Sequence, residues 1–154
     1  MPVVFVHGVP DTQHVWDAVV SRLDRRDVVR VSLPGFGCPV PEGFSATKES
    51  YVDWLIGQLT GLPSPIDIVG HDWGALLTVR VVSLRPTLVQ SWAAGGAPLD
   101  RKYVWHQAAQ AWPIPGKGEQ IMAAMTPEAM TAALVSAGVP LGDAVKTAAG
   151  WTTP

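Results

Sequence analysis

Apolar residues recur along the first hundred positions in two alternating patterns. Short unbroken runs rich in β-branched residues predict strands buried on both faces of a sheet, at residues 3–6, 28–33, 66–69 and 88–93. Between them, apolar residues spaced by three or four predict amphipathic helices over residues 12–23, 51–59 and 74–84. This βαβαβαβ order predicts an α/β fold, a partial parallel sheet with helices on both faces.

The strand pattern stops near residue 98. Residues 100–112, 118–125 and 143–149 read as helices, and a further helix is capped by Thr126, starts at Pro127 and ends before Gly138. We therefore expect two parts, a sheet-containing core over residues 1–97 and a helical cap, or lid, over residues 98–154.

Composition narrows the class of protein. The chain has 154 residues, 47% of them hydrophobic, and a mean hydropathy of +0.20, which is typical of a globular domain. Its net charge is -2 and its basic residues are scattered, so we expect no nucleic-acid partner. The apolar run at the start is too short for a signal peptide or a membrane span.

Cys38 is the only cysteine, which excludes an internal disulfide and a multi-cysteine zinc site and fits a reducing compartment. We expect a cytoplasmic protein. Nothing in the sequence indicates a metal site or a cofactor.

The most informative stretch is a predicted strand that turns into a helix at Gly70-His71-Asp72-Trp73-Gly74. Small residues around a central nucleophile are typical of a nucleophile elbow, here with Asp in place of the usual Ser. The N-terminus of the following helix would stabilise the Asp72 carboxylate as an anion. The alternative is that Asp72 only caps that helix.

Two further motifs follow predicted strands: His7-Gly8-Val9-Pro10 after the first, and Pro34-Gly35-Phe36-Gly37 after the second. The carboxyl ends of parallel strands are where α/β sheets bind ligands. Together with the elbow, in this order and spacing over residues 3–98, these motifs resemble the epoxide hydrolase and haloalkane dehalogenase branch of the α/β-hydrolase superfamily.

The resemblance implies an α/β-hydrolase fold in which residues 1–97 form the N-terminal half of the core and the first and third predicted strands are neighbours. It implies that Asp72 attacks an electrophilic sp3 carbon and forms an alkyl-enzyme ester, with the backbone N–H groups of Val9 and Trp73 as the oxyanion hole. The remaining motif and pocket residues are His7, Gly8, Pro10, Gly70, His71 and Gly74.

The chain departs from both branches of the family at Val9, where dehalogenases often have Asn and epoxide hydrolases an aromatic residue. Trp73 could donate its indole N–H to a halide or simply line an apolar pocket. Tyr103 is the only tyrosine in the lid and a weak candidate for the acid that protonates an epoxide. Epoxide and halide chemistry therefore both stay open.

The family's base histidine would follow later strands beyond the lid, so the chain resembles a form truncated before it. His14 and His106 are weak surrogate candidates, and Asp100 is expected to cap a helix. We expect slow or no turnover, an apolar small-molecule substrate, and self-association through the exposed edge of residues 88–93.

Two functions outside this chemistry are alternatives. A non-catalytic small-molecule binder that keeps the pocket under the lid is the main alternative. A nucleotide-binding domain is disfavoured, because His7-Gly8-Val9-Pro10-Asp11 has one glycine and an acid where a phosphate would sit.

Overall fold

The computed structural model describes residues 1–97, 99, 100, 102–105 and 107–150. Strands and helices alternate up to residue 95, and only helices follow within the described residues. The strands are β1 (Val3–Val6), β2 (Val28–Val31), β3 (Leu33–Pro34), β4 (Gly37–Cys38), β5 (Ile66–His71) and β6 (Val89–Gly95). The α-helices are α1 (Asp17–Val20), α2 (Lys48–Thr60), α3 (Trp73–Leu84), α4 (Gln107–Ala111), α5 (Lys117–Ala123), α6 (Pro127–Ser136) and α7 (Leu141–Ala149).

The main sheet has four parallel strands in the order β2-β1-β5-β6, which confirms the α/β prediction. The first and third predicted strands, β1 and β5, are indeed neighbours. In their register Val6 lies opposite Gly70. Because both strands run in the same direction, the loop after Val6 and the turn after His71 meet at one edge of the sheet.

The main core cluster lies on one face of the sheet, between β1 and β5 and the helices α2 and α3. All four residues of β1 are buried, as the unbroken apolar run predicts. Helix α2 begins at its cap Thr47, whose side chain accepts a hydrogen bond from the Ser50 backbone N–H. The fully buried core side chains from β1, β5, α2 and α3 include Val4, Val6, Leu55, Ile68, Leu77 and Val81.

The predicted first helix, residues 12–23, is largely wrong. Thr12 does cap it, but the first turn is a 3-10 helix, Gln13–Trp16, and the α-helical part ends at Val20. The apolar stripe does not face the core: the residues Val15, Val19 and Leu23 are exposed. Trp16 from this stretch packs on the sheet, against Phe5 at 5.0 Å between ring centroids.

The second strand is shorter than predicted and stops at Val31. The Leu33 backbone N–H donates to His7 Nε2 at 3.0 Å, so it is not available to the strand ladder. Leu33 and Pro34 instead pair with Gly37 and Cys38 in a separate two-stranded sheet.

The helical segment partly matches its prediction. The predicted helix over residues 100–112 is reduced to α4, because Asp100 does not cap a helix but accepts the Lys102 backbone N–H at 2.8 Å in a turn. Helices α5, α6 and α7 lie where the sequence predicts, and Thr126 caps α6. The expected boundary at Pro98 falls outside the described residues, so the division into core and cap stays a prediction.

Among the described residues, strand β6 pairs with β5 alone and forms one edge of the main sheet, as predicted. It is exposed along most of its length, and the Trp92 side chain is 52% exposed. In the described part of the chain, no helix has the length and apolar character needed to cross a bilayer.

Candidate active site

Asp72 lies at a sharp turn between β5 and α3. Its backbone has φ 52° and ψ -123°, a positive-φ conformation that non-glycine residues rarely adopt. The turn is held from both sides: the Asp72 N–H donates to the Gly95 carbonyl at 3.0 Å, and the Asp72 carbonyl accepts from Ala75 at 2.9 Å. This is the geometry that the predicted elbow requires.

Gly70 and Gly74 provide the space for this turn. A Cβ at Gly70 would overlap the Gly74 carbonyl and the Thr78 hydroxyl. A Cβ at Gly74 would overlap the backbone carbonyls of Val6 and His7 at the end of β1. Both glycines are therefore required by close approach of backbone to backbone, as their positions in the motif predict.

The Asp72 carboxylate faces the loop after β1. Asp72 Oδ2 accepts a hydrogen bond from the Val9 backbone N–H at 2.9 Å, across 63 positions of sequence. The side chain makes no capping hydrogen bond to α3, so the interpretation of Asp72 as a simple helix cap is wrong. Trp73 is the first residue of α3, and its N–H is one of those that a helix leaves without an internal acceptor.

Gly8 and Pro10 flank the residue that meets Asp72. A Cβ at Gly8 would overlap Oδ2, Cβ and Cγ of Asp72, so only glycine allows the loop to approach the carboxylate this closely. Pro10 follows Val9 through a cis peptide bond. We call residues 7–12, between β1 and the 3-10 helix, the oxyanion loop, after the role that the family resemblance predicts for Val9.

His7 anchors the start of the oxyanion loop. It is fully buried, its Nδ1–H donates to the Gly8 carbonyl at 2.7 Å, and its Nε2 accepts from the Leu33 N–H. Burial lowers the pKa of the His7 imidazole to about 4. Both ring nitrogens of His7 are thus engaged with the backbone, which anchors the start of the loop.

Asp11 is a feature that the sequence reasoning did not place in the site. Its carboxyl is partly buried, and burial raises its pKa. The charge of His71 opposes this rise and the charge of Asp72 adds to it, so Asp11 belongs to the same electrostatic neighbourhood as the elbow. The signal was available: an acid stands two positions after Val9 in the oxyanion loop.

The side chains of His71 and Trp73, on either side of Asp72, pack against different parts of the structure. The exposed His71 ring lies edge-on to Trp16 at 6.4 Å, and a Cβ at Gly96 would come within 2.8 Å of His71 Nε2. Trp73 lies against Tyr51 of α2 at 6.0 Å and packs on the hydrophobic core.

The contacts described for the other predicted site residues, His14 and Tyr103, are with residues other than Asp72. His14 Nδ1 lies 3.1 Å from Asp17 Oδ2, and Tyr103 stacks edge-on with Trp105 at 5.5 Å while remaining 48% exposed. His106 lies outside the described residues. Within the described ranges, no group of three or more His, Cys, Asp or Glu side chains is arranged to hold a metal ion.

The fold has relatives among solved structures. An epoxide hydrolase from Vigna radiata superposes with a TM-score of 0.72 over 97% of this chain and 59% of its own, at 22% sequence identity, which shows the fold alone. A haloalkane dehalogenase from Bradyrhizobium elkani gives a TM-score of 0.66 over 80% of this chain and 46% of its own, at 26% identity.

Sequence comparisons agree. An (E)-2-((N-methylformamido)methylene)succinate hydrolase from Acinetobacter baylyi is 28% identical over 109 residues, which cover 70% of this chain and 41% of the relative. The chain thus spans less than half the length of that curated relative. The model of the alpha/beta hydrolase family matches residues 3–153, nearly the whole chain. With the parallel sheet and this match, the chain belongs to the alpha/beta hydrolase family.

Proposed function

We propose that the chain acts as a hydrolase in which Asp72 is the nucleophile and forms an alkyl-enzyme ester, in the manner of epoxide hydrolases or haloalkane dehalogenases. The observation that carries this proposal is the hydrogen bond from the Val9 N–H to Asp72 Oδ2 at 2.9 Å, made by a side chain that does not cap its helix.

In the proposed first step, Asp72 Oδ1 attacks an sp3 carbon of an apolar substrate. A carbon–oxygen bond forms, and the bond to the leaving group breaks with its electron pair, releasing halide or opening an epoxide to an alkoxide that takes up a proton. The Val9 N–H holds Oδ2 and so orients the carboxylate for attack.

In the proposed second step, water adds to the carboxyl carbon of the ester. The charge that develops on Oδ2 falls where Val9 already donates a hydrogen bond, and the Trp73 N–H at the start of α3 is the second donor. Collapse of the tetrahedral intermediate breaks the bond between the carboxyl carbon and the alkoxide oxygen. The alkoxide takes up one proton of the attacking water, and the other is released to solvent as the Asp72 carboxylate is restored. A serine at this position would form an ether, which water does not readily cleave, so the aspartate favours alkyl transfer over ordinary ester hydrolysis.

The second step needs a base for the attacking water. The buried His7 has both ring nitrogens engaged and a lowered pKa, and His14 is paired with Asp17. We therefore expect alkylation of Asp72 to be faster than hydrolysis of the ester, so that the ester accumulates.

The experiment is intact-mass analysis after incubation with a small alkyl bromide or a terminal epoxide. Because the Cys38 thiol is a competing nucleophile, the reaction is run in a Cys38→Ser background. We expect one adduct, mapped to Asp72 by peptide mass spectrometry and absent in Asp72→Asn. An adduct spread over several exposed carboxylates, unchanged in Asp72→Asn, would refute the proposal. Rapid steady turnover that is lost in His106→Gln would instead identify a surrogate base.

A non-catalytic small-molecule binder is the second candidate, favoured by the engagement of His7 and His14 away from Asp72. It predicts that an apolar ligand binds equally well to the wild type and to Asp72→Ala, with no adduct on either. Loss of the adduct together with weakened binding in Asp72→Ala would support the hydrolase.

A further inference from the structure

Helix α7 ends on the oxyanion loop. The Gly150 carbonyl, directly after α7, accepts a hydrogen bond from the Gly37 N–H at 2.7 Å. A Cβ at Gly150 would come closer than 3.0 Å to Thr12 Cγ2, a separation that real Cβ atoms essentially never show. The last residue of the oxyanion loop is therefore packed directly against the end of the helical segment.

Thr12 has no room to move away from Gly150. It is 1% exposed, its hydroxyl accepts the His14 N–H as the cap of the 3-10 helix, and its β-branched side chain is stiff at χ1. Gly37, which hydrogen-bonds Gly150, also lies close, since a Cβ built there would be 3.4 Å from Thr12 Cβ. A displacement of Gly150 would be transmitted to Thr12 and along the loop.

A second contact docks α7 on the same region. Lys146 Nζ lies 3.6 Å from Asp17 Oδ2, beside the His14 contact to the same carboxylate, and Asp17 is also paired with Arg30 of β2. The inner face of α7 is buried at Ala144. The helix is thus fixed both by packing and by an ion pair before it reaches Thr12.

We propose that Gly150 and Thr12 are positioning residues that hold the oxyanion loop, so that the docking of α7 sets the distance between the Val9 N–H and Asp72. The effect on catalysis rests on the proposed function. The coupling between the position of α7 and the position of the Val9 N–H is a property of the fold and does not depend on that function. The loop is held at its start by His7 and at its end by Thr12, and Val9 lies between the two anchors.

Gly150→Ala is the direct test, since the backbone of Gly150 has φ -83° and ψ -6°, which alanine adopts without strain. Any effect therefore comes from the added methyl group. Gly142→Ala, on the same helix with open space around it, is the matched control. Thr12→Ser removes the clashing methyl and keeps the capping hydroxyl, so the double variant Thr12→Ser/Gly150→Ala should recover.

The first readout is hydrogen exchange of the Val9 amide, which does not depend on catalysis. We expect exchange to speed up by about tenfold or more in Gly150→Ala, to stay unchanged in Gly142→Ala, and to return towards the wild type in the double variant. Lys146→Gln loses the ion pair to Asp17 and the weaker one to Asp143 within α7, and it should give a smaller change in the same direction. This variant keeps the coupling testable if Gly150→Ala does not fold.

The second readout is the rate of hydrolysis of the Asp72 ester, which should fall more than the rate of its formation. If the Val9 amide responds but no ester forms in the wild type, the proposed function fails and the coupling stands. An unchanged Val9 amide in Gly150→Ala, or no recovery with Thr12→Ser, would overturn the coupling whatever the chemistry.

Discussion

The backbone of Asp72 adopts a positive-φ conformation that costs on the order of 1–3 kcal/mol in a non-glycine residue. Its neighbours show how the structure sustains it: Gly70 and Gly74 leave space, and backbone hydrogen bonds from Asp72 to Gly95 and from Ala75 to Asp72 fix the turn. In this conformation the carboxylate accepts a hydrogen bond from the Val9 N–H. The side chain of an ordinary helix cap would instead accept one from the first turn of its own helix, which Asp72 does not do.

Gly8→Ala tests how closely the loop and the carboxylate must approach. The added Cβ would overlap Asp72 Oδ2, so the carboxylate or the loop must shift. We expect alkylation of Asp72 to slow on the order of a hundredfold, because a small misplacement of a reacting group has effects of that size. The rate of adduct formation by mass spectrometry is the measurement.

Gly57→Ala is the control for Gly8→Ala. Gly57 lies on α2 with nothing near its Cβ, so this variant should react like the wild type. Equal rates in Gly8→Ala and the wild type would contradict the geometry.

His7 makes stability depend on pH. Its pKa is 6.5 in the unfolded chain and about 4 in the folded protein, so the unfolded state binds more protons between these values. The free energy of unfolding should therefore fall as pH drops from 6.5 to 4, by up to about 3 kcal/mol from this residue, and this contribution should level off below pH 4.

Urea unfolding at several pH values measures this dependence. His7→Gln should be less stable at neutral pH, since the ring's hydrogen bonds are lost, and should lack most of the slope between pH 6.5 and 4. His14→Gln, in which an exposed histidine is replaced, serves as the control and should keep the slope. A His7→Gln variant with the slope of the wild type would show that His7 is not the group responsible.

At the scale of single residues, the sequence predicts the elbow and the role of its glycines from small residues around Asp72. The hydrogen bond between Val9 and Asp72 could be expected only through the family resemblance, since it depends on which strands are neighbours. Asp11 was not predicted for the site although it stands two positions after Val9, because its proximity to Asp72 depends on the conformation of the loop after Pro10.

Helix α3 and strand β5 form as predicted because local pattern and burial agree in them. Both are apolar on the side that faces the core, and α3 begins where the strand turns at Asp72. The stretch over residues 12–23 shows the opposite case. Its helical stripe of apolar residues is exposed at Val15 and Val19, while Trp16 packs against Phe5 of the sheet. Periodicity predicts a helix but does not determine which neighbours cover it.

Within α3, two leucines give a matched comparison. Leu77 is fully buried, whereas Leu84 is 38% exposed at the end of the helix. We expect Leu77→Ala to lower the free energy of unfolding by about 2–5 kcal/mol, and Leu84→Ala by less than about 1 kcal/mol. Chemical denaturation of both variants is the measurement. Similar losses of unfolding free energy in the two variants would mean that α3 does not pack on the sheet through the face that contains Leu77.

For the molecule as a whole, the sheet leaves β6 as an exposed edge with a large aromatic side chain at Trp92. Unpaired edges favour association with another strand. The alternation of elements predicted a parallel sheet, whereas the adjacency of β1 and β5 in the order β2-β1-β5-β6 was expected only from the family resemblance. The arrangement of the helical segment was less predictable, since α7 docks through contacts such as Lys146 with Asp17, which are distant in sequence.

We therefore expect the chain to self-associate through β6. Trp92→Lys places a charge on the exposed face of this strand and should shift the population towards the monomer in sedimentation velocity at micromolar concentration. Val15→Lys, at an exposed apolar residue on the 3-10 helix, is the control and should leave the distribution unchanged. A monomeric wild type, or equal effects of the two variants, would contradict association through this edge.

The nucleophilic role of Asp72 is tested most directly by following oxygen from water during reaction with an epoxide or alkyl halide in heavy-oxygen water. If Asp72 forms the ester, the alcohol of the first turnover carries an ordinary oxygen from the carboxylate. The heavy isotope then enters the Asp72 side chain as the ester is hydrolysed, and an ester that persists is seen as the alkylated peptide. Heavy oxygen in the first alcohol, with Asp72 neither labelled nor alkylated, would mean that water attacks the substrate directly and would contradict the account.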